Sequence, residues 1–271
     1  MQRAAGWCKA AADASDSSFP SCTVIHKQCR FAALRRKEGV GDCAETGWYR
    51  VLLTKRPCAF RMGVFFFGGG KRLRIGILGG SFDPPHNGHH YMGLRFYEKL
   101  QLDKVLVIPA GQPPHKQNAI RIPDPARLKL CAMVFPEPFF VLSDMELRRE
   151  GKSYTIDTLL QLRREYPNDD FFLLVGADML LYFDRWYRWQ EILENCTLCA
   201  MARDGEHDAN ELRCYADEVL KSDRVQIFCV PPLPISSTLI RQKIAAGENI
   251  DGYLPPEAAA YIKQEGFYCE K

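Results

Sequence analysis

From Arg72 onward, short unbroken apolar runs alternate with stretches of helical spacing. Leu73 to Leu78, Lys104 to Pro109, Phe139 to Leu142, Phe171 to Val175, Thr197 to Ala202 and Val225 to Val230 read as strands. Runs of this length without polar alternation belong to strands covered on both faces. Between them the pattern predicts helices from Asn87 to Gln101, from Asp124 to Phe135 and from Thr155 to Tyr166, then helical stretches up to Glu194. Asp124-Pro125 reads as a cap followed by a first turn, and Ile156, Leu159 and Leu160 share one face. Leu212, Tyr215, Ala216 and Val219 carry helical spacing, Ser236 to Ala246 is a helix closed by Gly247, and a last helix covers Glu257 to Gln264. Strands alternating with helices imply one doubly wound α/β domain with a mostly parallel sheet, spanning 73–271. Ligands of such sheets bind beyond the carboxyl ends of the strands, where the strand order reverses.

Residues 1–72 have no sustained period, and Gly68-Gly69-Gly70 near their end reads as a flexible joint. They hold 13 Lys and Arg against 5 Asp and Glu, whereas the remainder holds 23 against 28. An irregular basic extension of this kind fits a targeting segment, an arm for a polyanion, or a stretch with no fold of its own. The last is the expectation carried forward. Met62 lies just ahead of the first strand, so a start assigned too far upstream would account for the composition.

Composition narrows the class further. Over 271 residues, 46% are hydrophobic and 25% charged, which excludes a disordered or collagen-like chain. A net charge of +3 gives the core no case for binding nucleic acid. No apolar run approaches the roughly 18 residues of a membrane span, and Met1 to Pro20 lacks a signal-peptide core. A soluble cytoplasmic protein is expected. The eleven cysteines are odd in number and lack the paired spacing of a zinc site; the one CxxC, Cys196 to Cys199, falls inside a predicted buried strand. Reduced structural thiols are the reading.

Chemistry concentrates in two segments. The first, GGSFDPPHNGHH from Gly79 to His90, directly follows the first strand. Gly79 and Gly80 are read as letting the backbone turn tightly and approach a ligand. The helix that follows presents free N–H groups toward a phosphate. His86 and His89 would lie on one side of its first turn, where two imidazoles can donate to phosphate oxygens. A metal pair and simple helix capping are the other readings; Asp83, the only nearby acid, precedes a proline, and no further ligand cluster accompanies it. The second segment, Ile235 to Arg241, places Ser236, Ser237 and Thr238 at a helix start with Arg241 one turn on, a second anion cradle. Capping alone would explain one such start, but two in one domain are harder to dismiss.

Together these segments resemble the nucleotidyltransferase superfamily marked by HxGH and ISSTxxR, and within it the bacterial nicotinate-nucleotide adenylyltransferases. IPAGQPPHK (Ile108 to Lys116), GKSYTIDTL (Gly151 to Leu159) and GADMLLYFDRWYRWQEI (Gly176 to Ile192) follow in that family's order. His86 stands where the similar phosphopantetheine enzymes usually carry threonine. The resemblance covers 73–271 and implies a Rossmann-like nucleotidyltransferase fold that transfers AMP from ATP to nicotinate mononucleotide. It implies phosphate contacts from His86, His89 and Arg241, and ATP contacts from Gly79, Gly80, Ser81, Phe82, Gly176, Asp178, Ser236, Ser237 and Thr238, with Arg203 a weaker candidate. Trp186 resembles the pyridine-stacking residue, the amides of Thr155 and Tyr187 would meet the carboxylate, and His115 and Lys116 the substrate phosphate. Read without the family, Trp186 and Trp189, three apart, favour a buried helix face, Asp178 is a helix cap, and His115 and Lys116 are a solvated loop pair. Mg²⁺ is expected to arrive with ATP, held by phosphate and water, with no protein metal site. A homo-oligomer is left open. Competing readings are a related adenylyltransferase acting on nicotinamide mononucleotide or phosphopantetheine, a nucleotide sensor, and a nucleic-acid protein working through residues 1–72.

Overall fold

The computed structural model describes residues 71–113, 122–202, 206–231 and 233–269. The calls made on residues 1–70, and on His115, Lys116 and Arg203, lie outside the described residues. Six strands form one sheet: β1 (Arg74–Gly80), β2 (Lys104–Pro109), β3 (Phe140–Leu142), β4 (Asp170–Gly176), β5 (Thr197–Ala202) and β6 (Val225–Cys229). Their order is β3-β2-β1-β4-β5-β6 and every neighbouring pair is parallel. The sheet is thus wholly parallel, and its order reverses between β1 and β4. The ends of those two strands, Gly80 and Gly176, open the crevice where such folds bind ligands.

Among the described residues eight α-helices cover the sheet: α1 (Asn87–Leu100), α2 (Asp124–Val134), α3 (Thr155–Glu165), α4 (Ala177–Leu180), α5 (Trp189–Asn195), α6 (Glu206–Tyr215), α7 (Ser237–Ala245) and α8 (Pro256–Glu265). Successive strand side chains enter opposite layers. Leu78, Val105, Val107 and Leu174 pack with Phe96, Leu130, Ile240 and Ile262 on one face. Ile75, Ile77, Leu106 and Leu173 pack with Ile156, Leu159, Ile192 and Leu212 on the other. Gly93 lets α1 lie close to the sheet, since a Cβ there would come within 2.8 Å of the Phe140 ring. The thiols of Cys196 and Cys199 are buried, and burial pushes the first up to about 12 and the second higher still. They are structural, as the strand pattern implies.

Two local expectations need correction. The stretch after β4 is broken into α4, a 3₁₀ turn at Phe183–Arg185, and α5, with Arg188 left-handed at φ 56° between the last two. Trp186 and Trp189 therefore belong to different elements, and their spacing is not that of one helix face. Helix α2 begins one residue early, with Pro123 at its cap and no side-chain cap bond. The Asp124 carboxylate instead meets Arg127, whose guanidinium is fully buried.

Arg127 gathers the carboxyl ends of β1 and β2. Its Nη1 donates to the carbonyls of Ser81 and Ala110, both at 2.8 Å, and its Nη2 to Asp124 at 2.6 Å. Removing this side chain strands two carbonyls in a dry layer. Arg127→Met should lower unfolding stability by about 3 kcal/mol in a urea titration; a loss under about 1 kcal/mol would mean these carbonyls find other partners.

Candidate active site

The first turn of α1 is built from the two histidines. His86 is the N-cap; its Nδ1 accepts from the His89 backbone N–H at 3.3 Å, and His89 Nδ1 accepts from the His86 N–H at 3.3 Å. The rings stack with centroids 3.7 Å apart. Because each Nδ1 accepts, each ring carries its proton on Nε2. Capping and phosphate contact are therefore compatible roles: one nitrogen closes the helix and the other is a donor. His86 is 5% exposed, and burial lowers its pKa to about 4. It is neutral near pH 7 and acts by hydrogen bonding rather than as a cation. Gly88 suits this arrangement, since a Cβ there would press on the His86 ring at 3.0 Å from Nδ1.

The glycines ahead of the motif play a different part from the tight turn expected. Gly79 and Gly80 are the last residues of β1, in extended backbone; the left-handed residue is Phe82, at φ 46°. A Cβ at Gly79 would meet nothing within 4 Å; the residue is exposed strand backbone and lies outside the cavity lining described below. Phe82 is buried and sets its ring edge-on to His89 at 5.0 Å, supporting the imidazole from beneath.

The second motif is bonded to the first. Ser236 caps α7 by accepting from Leu239 N–H at 3.1 Å. Ser237 Oγ donates to the carbonyl of Pro84 at 2.8 Å, and Arg241 Nη1 to that of Asp83 at 2.6 Å. Arg241 Nη2 also donates to Thr238 Oγ1 at 3.1 Å. Sequence reading missed Tyr268, near the end of the chain, whose hydroxyl donates to the Asp83 carboxylate at 2.7 Å. Burial and that carboxylate push its phenol well above the ordinary range. No local pattern marks it, because the partner lies 185 residues away.

His86, His89, Gly176, Asp178, Ser236, Ser237, Thr238 and Arg241 line one cavity of about 450 Å³. Tyr91, Met92, Met201, Val230 and Leu233 also line it and had not been singled out from sequence, since apolar lining residues look like core. Gly80, Ser81 and Phe82 stand at the β1 end, outside that lining, as do Thr155, Trp186 and Tyr187. The last three belong to a neighbouring region. Thr155 opens α3, which has no side-chain cap; Asp157 and Thr158 bond back to the Tyr154 carbonyl, so Thr155 N–H precedes the first intrahelical bond. The Tyr154 and Tyr187 rings touch, with centroids 4.7 Å apart, and Trp186 rests half-buried on Phe183 at 5.1 Å. The cavity donors are imidazoles, hydroxyls and a guanidinium, a set suited to anions, and among the described residues no group of three His, Cys, Asp or Glu could hold a metal ion. No helix among those residues is long and apolar enough to cross a membrane.

The cytidylyltransferase-like family model matches residues 77–243. A Bacillus pumilus protein named a probable nicotinate-nucleotide adenylyltransferase is 37% identical over 197 residues, covering 72% of this chain and 98% of that protein. The nicotinate-nucleotide adenylyltransferase of Bacillus subtilis is 34% identical over 72% of this chain and 98% of its own length. In fold, the Plasmodium falciparum nicotinic acid mononucleotide adenylyltransferase complexed with NaAD superposes with a TM-score of 0.61 at 18% identity, over 73% of this chain and 98% of that one. With both signature motifs lining one crevice at the reversal of a parallel sheet, this chain belongs to the nicotinate-nucleotide adenylyltransferase family of cytidylyltransferase-like proteins.

Proposed function

We propose that the protein transfers the adenylyl group of ATP to nicotinate mononucleotide, releasing pyrophosphate and forming deamido-NAD. One observation carries this reading: two phosphate-type helix starts, at α1 and α7, face a single cavity and are bonded together through the carbonyls of Asp83 and Pro84. A phosphate oxygen of the mononucleotide attacks the α-phosphorus in line, and the bond to the β-phosphate oxygen breaks with its electron pair leaving on pyrophosphate. No protein nucleophile is needed, so the residues act by positioning and by neutralising charge.

In this reading His86 and His89 donate from Nε2 to the reacting phosphates. Arg241 keeps further N–H groups for the departing pyrophosphate beside Ser236, Ser237 and Thr238. The backbone of Gly79 to Phe82 lies along the phosphates, Gly176 leaves room for Asp178, and Asp178 takes the adenosine ribose. Arg203 is assigned, more weakly, to the nucleotide site. Trp186 offers a flat apolar face to the pyridine. The N–H groups of Thr155 and Tyr187 read its carboxylate, and His115 with Lys116 the mononucleotide phosphate. The anion-directed donor set fits an ATP that brings its own Mg²⁺, held by phosphate oxygens and water. That ion supplies charge neutralisation on the phosphates. Catalysis is assigned to 73–271. The substrates are small charged metabolites of the cell interior, which places the enzyme in the cytoplasm.

A pyrophosphate-release assay with ATP and Mg²⁺ tests the substrate. Nicotinate mononucleotide should be turned over far better than nicotinamide mononucleotide or phosphopantetheine; preference for either alternative would replace this reading with that one. His89→Ala should lower kcat by about 10²–10³. A melting curve close to wild type would show that the loss is chemical, and near-normal turnover would remove His89 from the phosphates.

A further inference from the structure

A buried polar cluster outside the cavity joins the segments assigned to the pyridine carboxylate. Ser153 Oγ accepts from the backbone N–H groups of Gly111 at 3.2 Å and Gln112 at 3.3 Å, while Ser153 N–H donates to the Gln112 carbonyl at 2.9 Å. With both lone pairs engaged, the hydroxyl proton is left for Glu146; burial pushes that carboxyl above its ordinary range, and the bonds from Thr158 and Ser153 oppose the rise. Glu146 also accepts from Thr158 Oγ1 at 2.7 Å. Thr158 in turn accepts from Arg149, which reaches Gln161. Glu146, Ser153 and Thr158 are all buried. The packing leaves no slack: a Cβ at Gly111 would lie 2.5 Å from the Glu146 carbonyl oxygen.

This cluster ties the end of β2 to the first turn of α3, where Thr155 stands two residues past Ser153 and three before Thr158. Tyr154, between Ser153 and Thr155, touches the ring of Tyr187. Thr155 thus hangs directly from this buried network, and Tyr187 meets it through the ring of Tyr154. Two N–H donors suit a carboxylate, which only accepts, and oppose a carboxamide, whose NH₂ would meet a second donor. That opposition works only while neither donor can turn aside. Resting on the function proposed above, we infer that Ser153, with Glu146 and Thr158, is a positioning residue that sets the preference for the acid over the amide substrate.

Steady-state kinetics with both mononucleotides and ATP on the full chain test this. Ser153→Ala should raise KM for nicotinate mononucleotide about tenfold and lower the acid-to-amide ratio of kcat/KM about as much. KM for ATP and kcat should stay within about twofold, a split that general loosening would not produce. Thr158→Val, nearly isosteric, should shift both quantities the same way and carries the test should Ser153→Ala not fold. An unchanged ratio in a folded variant, or equal rises in both KM values, would overturn the inference. Failure of the wild type to use nicotinate mononucleotide would instead overturn the function it rests on.

Discussion

A guanidinium with no exposed surface holds the catalytic end of this sheet together. Parallel strands deliver their carbonyls to one end, and the loops that follow must leave the sheet without leaving buried acceptors unpaired. Arg127 meets that constraint at β1 and β2 at once, gripping the carbonyls of Ser81 and Ala110 while Asp124 balances its charge from the half-exposed rim. The Ser81 bond orients the loop that leads to Phe82 and His86. The Ala110 bond orients the strand end that continues to Gly111 and Gln112, and so to Ser153. The segments assigned above to phosphate and to pyridine are in this way referred to the same buried side chain.

The same economy appears at the crevice. His86 and His89 close the helix with one nitrogen each and keep the other as a donor, and burial holds His86 neutral. Neutral donors suit a site that must bind a polyanion and then release two anionic products. Among the described residues the guanidinium at the cavity is that of Arg241, which is itself anchored to the Asp83 carbonyl. Serine and threonine hydroxyls are divided among capping, bridging and accepting, so the second motif is rigid before any phosphate reaches it.

Much of this was legible along the chain. All six described strands fall where the apolar runs predicted them; the four inner strands, covered on both faces, leave a signal that needs no tertiary knowledge, while the edge strands β3 and β6 are only partly buried. The two helix starts that line the cavity were legible for a similar reason, since the residues of each are contiguous. Legibility fails where partners are distant or where geometry departs from the usual period. Tyr268 and Asp83 meet across the whole domain. The Trp186–Trp189 spacing imitates a helix that the left-handed Arg188 interrupts. Gly79 and Gly80 suggested a turn, yet serve as bare strand backbone, while the left-handed conformation falls on Phe82, which sequence gave no reason to suspect. Ser153, Glu146 and Thr158 look like ordinary polar residues until folding buries them together.

In the proposed reaction catalysis comes from positioning, and the mononucleotide phosphate attacks ATP directly. The stereochemistry at phosphorus tests that claim most directly. With ATP made chiral by sulfur at its α-phosphorus, one in-line displacement predicts inversion of configuration in the dinucleotide product. Retention would require two displacements through an adenylylated residue and would contradict direct attack.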